Sequence, residues 1–393
     1  MVWEEVSIVS RREEFVRLAS VEGANVRQLC RGFTVSPQTG YKWLRRFQSD
    51  PFAKLADASR RPHRSPTQTP PAMEAAVLEV RAAHPTWGGR KIRARLLHLG
   101  HDRVPSPSTV TDILHRHGLI APAESAKRVH WQRFESPAPN VLWQMDFKGH
   151  FALLQGRCHP LTVLDDHSRF AVGLEACGDE RGLTVRERLV SIFRRYGLPE
   201  RMVMDNGAPW GSDADHPYTP LTVWLMRQGI RVSHGRPYHP QTQGKDERFH
   251  RTLKAELLQG KSFADLMVCQ PAFDRWRYVY NFERPHQALG LATPASRYAS
   301  SPRCFLETMP PIEYGDGDLV RNVMAEGWVN FKGHKFRISM AFRGYPIAFR
   351  PTAIDGVWDV WFMTHRIAQV DLTGFEPVVE RIVESVNHVS AQM

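Results

Sequence analysis

Residues Val141–Phe147 read VLWQMDF, and the fold of this chain turns on that stretch. Trp143, Met145 and Phe147 alternate with Gln144 and Asp146, so polar and apolar residues fall on opposite faces of a strand. Two further strands follow, CHPLTVLDD (158–166) and FAVGLEACG (170–178). The pattern then changes. RGLTVRERLVSIFRRYG (181–197) is an amphipathic helix, and ERMVMDNG (200–207) is a short buried strand ending in an acid. YTPLTVWLMRQG (218–229) is a helix, IRVSHG (230–235) a strand, and QTQGKDERFHRTLKAELL (241–258) a helix again. Three strands followed by strands alternating with helices predict an α/β domain with a mixed sheet over 141–300. FADLMVCQPAFDRWRYVYNFERPH (263–286) continues it as a helix, kinked or split at Pro271.

Beyond Pro310 the helical signals stop. GWVNFKGHKFRIS, YPIAFRPT and GVWDVWFMTHRIAQVDL are short alternating strands with Gly turns. They predict a small β-barrel, or a sandwich, over 310–385.

Upstream of Val141 the chain is helical and basic. Residues 1–140 hold 22 Lys and Arg against 13 Asp and Glu, whereas the remainder holds 30 against 28. Concentrated positive charge suits a polyanion, because Lys and Arg displace counterions from phosphates. In residues 1–56, Arg11–Ala19 and Val26–Gly32 read as helices. SPQTGYKWLRRF follows, with Ser36 as cap, Pro37 at the first helical position, and Gly40, Trp43, Leu44 and Phe47 on one face. Gln38, Thr39, Lys42, Arg45 and Arg46 occupy the other face, with side chains that reach bases and phosphates from a major groove. This is the pattern of a helix-turn-helix with Ser36–Phe47 as recognition helix. Residues 71–120 repeat the design, with a basic helix in HPTWGGRKIRARLLHLG and a second Ser-Pro start at Ser106 and Pro107. Arg90, Lys91, Thr109, Thr111 and Arg116 are its candidate DNA contacts. The alternative for each unit is a helical hairpin whose polar face meets only water. Two linkers are expected, 57–70 and 121–140. In the first, SRRPHRSPTQTPP is extended, and Arg60, Arg61 and Arg64 either enter a minor groove or are solvated.

Other classes are disfavoured. No apolar run is long enough to span a bilayer, and the N-terminus lacks the pattern of an export signal, so a cytoplasmic, nucleoid-associated protein is expected. Five scattered cysteines form no CxxC pair, which argues against a disulfide framework and a cysteine zinc site.

Three acids stand out. Asp146 and Asp205 each lie near the end of a strand, where a carboxylate is costly unless paired, solvated or bound to a cation. Asp205 begins Asp-Asn-Gly, which is also a common turn. On the helix containing Phe249 and Leu253, Asp246 falls in the first turn at the flank of the apolar side, and Glu247 faces away. An ion pair of Glu247 with Arg251 would equally account for it.

Together, VLWQMDFKG, LTVLDDHSRF, RMVMDNGAPW, HPQTQGKDERFHRTLKAEL and VYNFERPHQALG resemble bacterial insertion-sequence transposases with a retroviral-integrase-type core. The resemblance implies a ribonuclease-H-like central domain and a catalytic and metal-binding triad at Asp146, Asp205 and Glu247. It implies two Mg²⁺ ions, replaceable by Mn²⁺, with 3′-end cleavage and strand transfer as the reaction. Lys245, Arg251 and Lys254 would contact phosphates or else solvate the helix, and Asp165 and Asp166 would organise a strand end with His167 and Arg169. Double-stranded DNA and further copies of the chain are the implied partners. One departure is the 42 positions between Asp205 and Glu247, longer than usual, with the surplus assigned to the loop GSDADHPYTP. The competing function is a catalytically silent repressor of the same architecture.

Overall fold

The computed structural model describes residues 8–51, 55–57, 68–120, 135–211, 217–235, 244–373 and 378–380. The chain divides into two compact units, Met1–Gln68 and Thr69–Met393.

The first unit holds three helices, α1 (Ile8–Ala19), α2 (Val26–Gly32) and α3 (Pro37–Ser49). Asn25 caps α2 by accepting from Gln28 N, and Ser36 caps α3 by accepting from Thr39 N. Phe15, Val16, Cys30, Trp43, Leu44 and Leu55 form the core. Gly40 is required by the crossing of the helices, since a Cβ there would collide with Cys30 Sγ and the Phe15 ring.

The second unit opens with another three-helix group, α4 (Pro71–Ala83), α5 (Gly89–His98) and α6 (Pro107–Arg116), with Ser106 capping α6. Val77, Trp87, Ile92, Leu96, Val110, Ile113 and Leu114 are its buried centre.

The mixed sheet follows. Its strands are β1 (Leu142–Phe147), β2 (Phe151–Ala152), β3 (Arg157–Asp165), β4 (Ala171–Cys177), β5 (Arg201–Met204) and β6 (Arg231–His234). The order is β4-β3-β1-β5-β6, with β2 pairing the start of β3. Neighbours from β4 to β1 are antiparallel, and β1, β5 and β6 are parallel. Helix α7 (Gly182–Tyr196) covers one face through Val185, Leu189, Ile192 and Phe193, the spacing of one helix stripe. Helices α9 (Gly244–Leu253) and α10 (Leu266–Tyr278) cover the other through Phe249, Leu253, Cys269, Phe273 and Trp276. Pro271 does not split α10, which runs through it and forgoes one backbone hydrogen bond at the proline. Both helices pass into one wide turn of π-helix, Lys254–Leu258 and Val279–Glu283, which the sequence periodicity did not foretell.

The C-terminal region corrects the barrel. Strands β7 (Leu319–Asn322), β10 (Pro346–Pro351), β11 (Val357–Phe362), β12 (His365–Asp371) and β13 (Val378–Glu380) form an open sheet, ordered β13-β12-β11-β10-β7. No pairing joins its two edges among the described residues. Instead the hairpin β8 (Trp328–Phe331) and β9 (His334–Arg337) shares its core, with Phe331 stacked on Phe349 at 3.9 Å. Helix α8 (Pro220–Arg227) contributes Val223 and Met226 to this core, and Leu221, Trp224 and Leu225 to that of the mixed sheet. Serving two cores explains why α8 is apolar around nearly its whole circumference.

Candidate active site

Asp146 and Asp205 meet through the register of the parallel pair. Gln144 is opposite Val203, so two residues further on Asp146 comes beside Asp205. Asp205 is exposed just past β5, where its Oδ1 accepts from Asn206 N at 2.8 Å. His234 Nδ1 lies 3.0 Å from Asp205 O and Asn206 Nδ2 donates to Gly235 O at 2.6 Å, tying the ends of β5 and β6 together. Burial pushes the Asp146 carboxyl up to about 7, with the Phe147 backbone N–H opposing and the charges of Asp205 and Glu180 adding to it. A buried carboxyl beside a second, exposed carboxylate is a place where a cation is favoured.

The helix α9 turns Lys245, Asp246, Phe249, His250 and Leu253 inward, leaving Glu247, Arg248, Arg251 and Lys254 exposed. Glu247 therefore lies on the solvent side of α9. No ion pair joins it to Arg251 among the described residues. Nor do any three His, Cys, Asp or Glu side chains converge there as a metal-holding group. The structure thus brings Asp146 and Asp205 together and leaves Glu247 open on the neighbouring helix. Asp146, Asp205 and Glu247 all carry hard carboxylate oxygens, the type that suits Mg²⁺ or Mn²⁺.

Asp246 departs from its expected place as an ordinary helix-end acid. It is 1% exposed, and neither carboxyl oxygen has a hydrogen-bond partner among the described residues. Burial, reinforced by Asp146 and Asp166 and opposed by Lys245, holds its carboxyl well above the usual range. The first turn of α9 packs against the sheet, so this position is interior and not at a solvated helix end.

The Asp165–Asp166 pair knits the start of β1 to the β3–β4 turn. Asp165 accepts from Asn140 N, Ser168 N and Ser168 Oγ. Asp166 accepts from Ser136 N, Gln144 Nε2 and Lys245 Nζ. Lys245 is thereby drawn to Asp166 and away from the open surface expected of a phosphate contact. His167 Nδ1 lies 2.8 Å from Ser136 O, and Arg169 turns the corner at φ +63°.

Of the other candidate contacts, Gln38, Lys42, Arg45, Arg90, Arg251 and Lys254 are exposed. Several do internal work. Arg46 Nη1 donates to Ala56 O at 2.8 Å, and Thr39 joins the Ser36 cap. Thr109 does the same at Ser106, Thr111 Oγ1 donates to Pro107 O at 2.7 Å, and Arg116 pairs with Glu74 at 3.0 Å. Lys91 is turned toward Arg284 and Glu256 of the sheet domain, where burial and then Arg284 lower its ammonium to about 8. Arg60, Arg61 and Arg64 lie outside the described residues.

Sequence reasoning missed Thr162, His250 and Glu256. Glu256 Oε1 accepts from Arg284 Nε at 3.0 Å and Thr86 Oγ1 at 3.3 Å, and its Oε2 from Trp276 Nε1 at 3.2 Å. Its position on the apolar side of the helix was the available signal.

Family models match this chain as a helix-turn-helix domain over residues 11–63 and a homeodomain-like domain over 39–114. They match it as an integrase core domain over 136–240 and 228–294, and as the IS481 family transposase C-terminal domain over 318–376. The insertion element IS476 uncharacterized 39.2 kDa protein of Xanthomonas euvesicatoria is 28% identical over 284 residues, 67% of this chain and 78% of that protein. The insertion element IS407 uncharacterized 31.7 kDa protein of Burkholderia multivorans is 30% identical over 167 residues, 42% of this chain. The chain spans only 57% of the length of that second relative. Among solved structures, the catalytic core domain of BIV integrase is similar at 24% identity and a TM-score of 0.31, covering 40% of this chain and 92% of that one. Helix-turn-helix domains followed by an integrase core define a class of DNA-handling proteins. Within it, this chain is similar to bacterial insertion-element proteins and carries matches to an integrase core and to the IS481 family transposase C-terminal domain.

Proposed function

We propose that the chain binds the terminal repeats of its own mobile element and catalyses 3′-end cleavage and strand transfer at Asp146, Asp205 and Glu247. The observation that carries this is the meeting of Asp146 and Asp205 at adjacent strand ends, with α9, which bears Glu247, packed on β1. These three residues would hold two Mg²⁺ or Mn²⁺ ions, which neutralise charge on a scissile phosphate and favour attack by water or a 3′-hydroxyl. Asp146, beside Asp205 in the sheet register, would help to hold both ions, and Asp205 and Glu247 would each help to hold one. Exposed Arg251 on α9 and Lys254 at the start of the π-helical turn that follows it would receive neighbouring phosphates. In the first step water attacks the phosphorus at the element end and expels the element's 3′-oxygen, leaving a 5′-phosphate on the flank; in the second, the freed 3′-hydroxyl attacks a target phosphorus and expels a target 3′-oxygen. No covalent link to the protein is required. Gln38, Lys42 and Arg45 on α3 would read or hold the repeats, and two ends would call for more than one copy of the chain.

The test uses purified protein, DNA from both flanks of its gene, and Mg²⁺ or Mn²⁺. Metal-dependent cleavage at the element ends, lost in Asp146→Asn with end binding intact, is the expected result. End binding without cleavage under either metal would favour a silent repressor.

A further inference from the structure

Thr162 and His250 connect the two elements that carry the acids. Thr162 lies directly opposite Asp146 in the β1–β3 register and is fully buried. Its Oγ1 donates to Asp146 O at 2.9 Å and lies 2.9 Å from His250 Nε2. A threonine hydroxyl has one proton, and a carbonyl oxygen only accepts. The hydroxyl proton is therefore committed to Asp146 O, and His250 Nε2 must donate the second bond. This fixes the imidazole as its Nε2–H tautomer. Burial, then the charge of Lys148, lowers the ring to about 4, so it stays neutral around pH 7.

The ring is not needed to hold α9 down, because Phe249 and Leu253 already bury that face. What His250 adds is direction. It stands one turn from Glu247, and the chain of two hydrogen bonds ends on the backbone of Asp146. We propose that His250 and Thr162 are positioning residues that lock α9 to β1 at Asp146, and so set Glu247 against the two aspartates. This rests on the assignment of Asp146, Asp205 and Glu247 as the metal-holding acids. Neither residue touches the reacting atoms; both act through the placement of those that do.

The experiment measures Mn²⁺ binding to the full chain by the paramagnetic resonance signal of the free ion, with strand joining followed in parallel. The variants are His250→Leu, His250→Gln, Thr162→Val, Thr162→Ser and Asp146→Asn. His250→Leu and Thr162→Val are expected to weaken Mn²⁺ affinity about tenfold, the usual scale for a group that orients metal ligands. His250→Gln, whose amide nitrogen reaches the Nε2 position, and Thr162→Ser should recover most of it. Thr162→Val conserves volume, so the test stands even where His250→Leu fails to fold. Unchanged affinity in Thr162→Val and His250→Leu, with Asp146→Asn impaired, would overturn the positioning role and leave the acids standing. Unchanged affinity in Asp146→Asn would overturn the acid assignment and the positioning role with it.

Discussion

Glu256 and Arg284 form an ion pair at 3.0 Å with both side chains nearly buried, and Thr86 of the α4–α5 turn joins it through Glu256. A parallel contact, Arg95 to Glu283 at 2.7 Å, comes from the second wide turn. The two π-helical turns thus present their acids to the second helical group. That group is fixed to the sheet domain by charge as well as by packing.

Removing Glu256 should therefore be costly. Glu256→Ala leaves Arg284 buried without its partner, an effect of about 3–5 kcal/mol in comparable sites. Denaturant unfolding should show a loss of this size. A loss below about 1 kcal/mol would mean that water replaces the carboxylate freely.

Glu175 gives a pH signature. Burial raises its carboxyl to about 7, against the charges of Arg277 and Arg188. The folded state retains a proton that the unfolded chain releases near 4.5, so stability declines as pH rises from about 4.5 to about 7. The slope from this one group is at most about 1.4 kcal/mol per pH unit. Glu175→Gln should flatten the melting-temperature profile over that window and stabilise the protein above it. An unchanged profile would refute the raised value.

Neighbouring arginines on α3 should separate by phenotype. Arg45 is exposed, and Arg45→Ala should weaken binding to element ends and reduce the salt slope by about 1. Arg46 donates to Ala56 O and lies over the Trp43 ring at 5.4 Å, so Arg46→Ala should lower the stability of the N-terminal unit. Equal salt slopes in the two variants would contradict the division.

Much of this was legible in the sequence, for identifiable reasons. The caps at Ser36 and Ser106, each followed by Pro, set the starts of α3 and α6, because capping is a local property. The alternation in 141–178 located β1, β3 and β4. That the C-terminal sheet stays open was not legible, since strand spacing does not reveal that β8 and β9 pair as a separate hairpin. The candidate site divides the same way. Asp146 and Asp205 stood out as acids at strand ends, but the interior place of Asp246 depends on how α9 lies on β1. The diversion of Lys245 to Asp166 and of Arg46 to Ala56 depends equally on partners distant in sequence. A helical wheel gives a side chain's direction and not its partner.

The central claim is that Asp146, Asp205 and Glu247 join DNA, and Glu247 is the member that the structure leaves most open. The direct measurement is joining of a pre-cleaved element end to a plasmid in Mn²⁺, comparing the unmodified protein with Glu247→Gln. Starting from a pre-cleaved end isolates strand transfer from recognition of the flank. Joining by the unmodified protein, reduced at least a hundredfold in Glu247→Gln with unchanged end affinity, is the predicted result (roughly 2.7 kcal/mol of transition-state stabilisation). Full joining by Glu247→Gln would contradict the account and send the search for the third acid elsewhere.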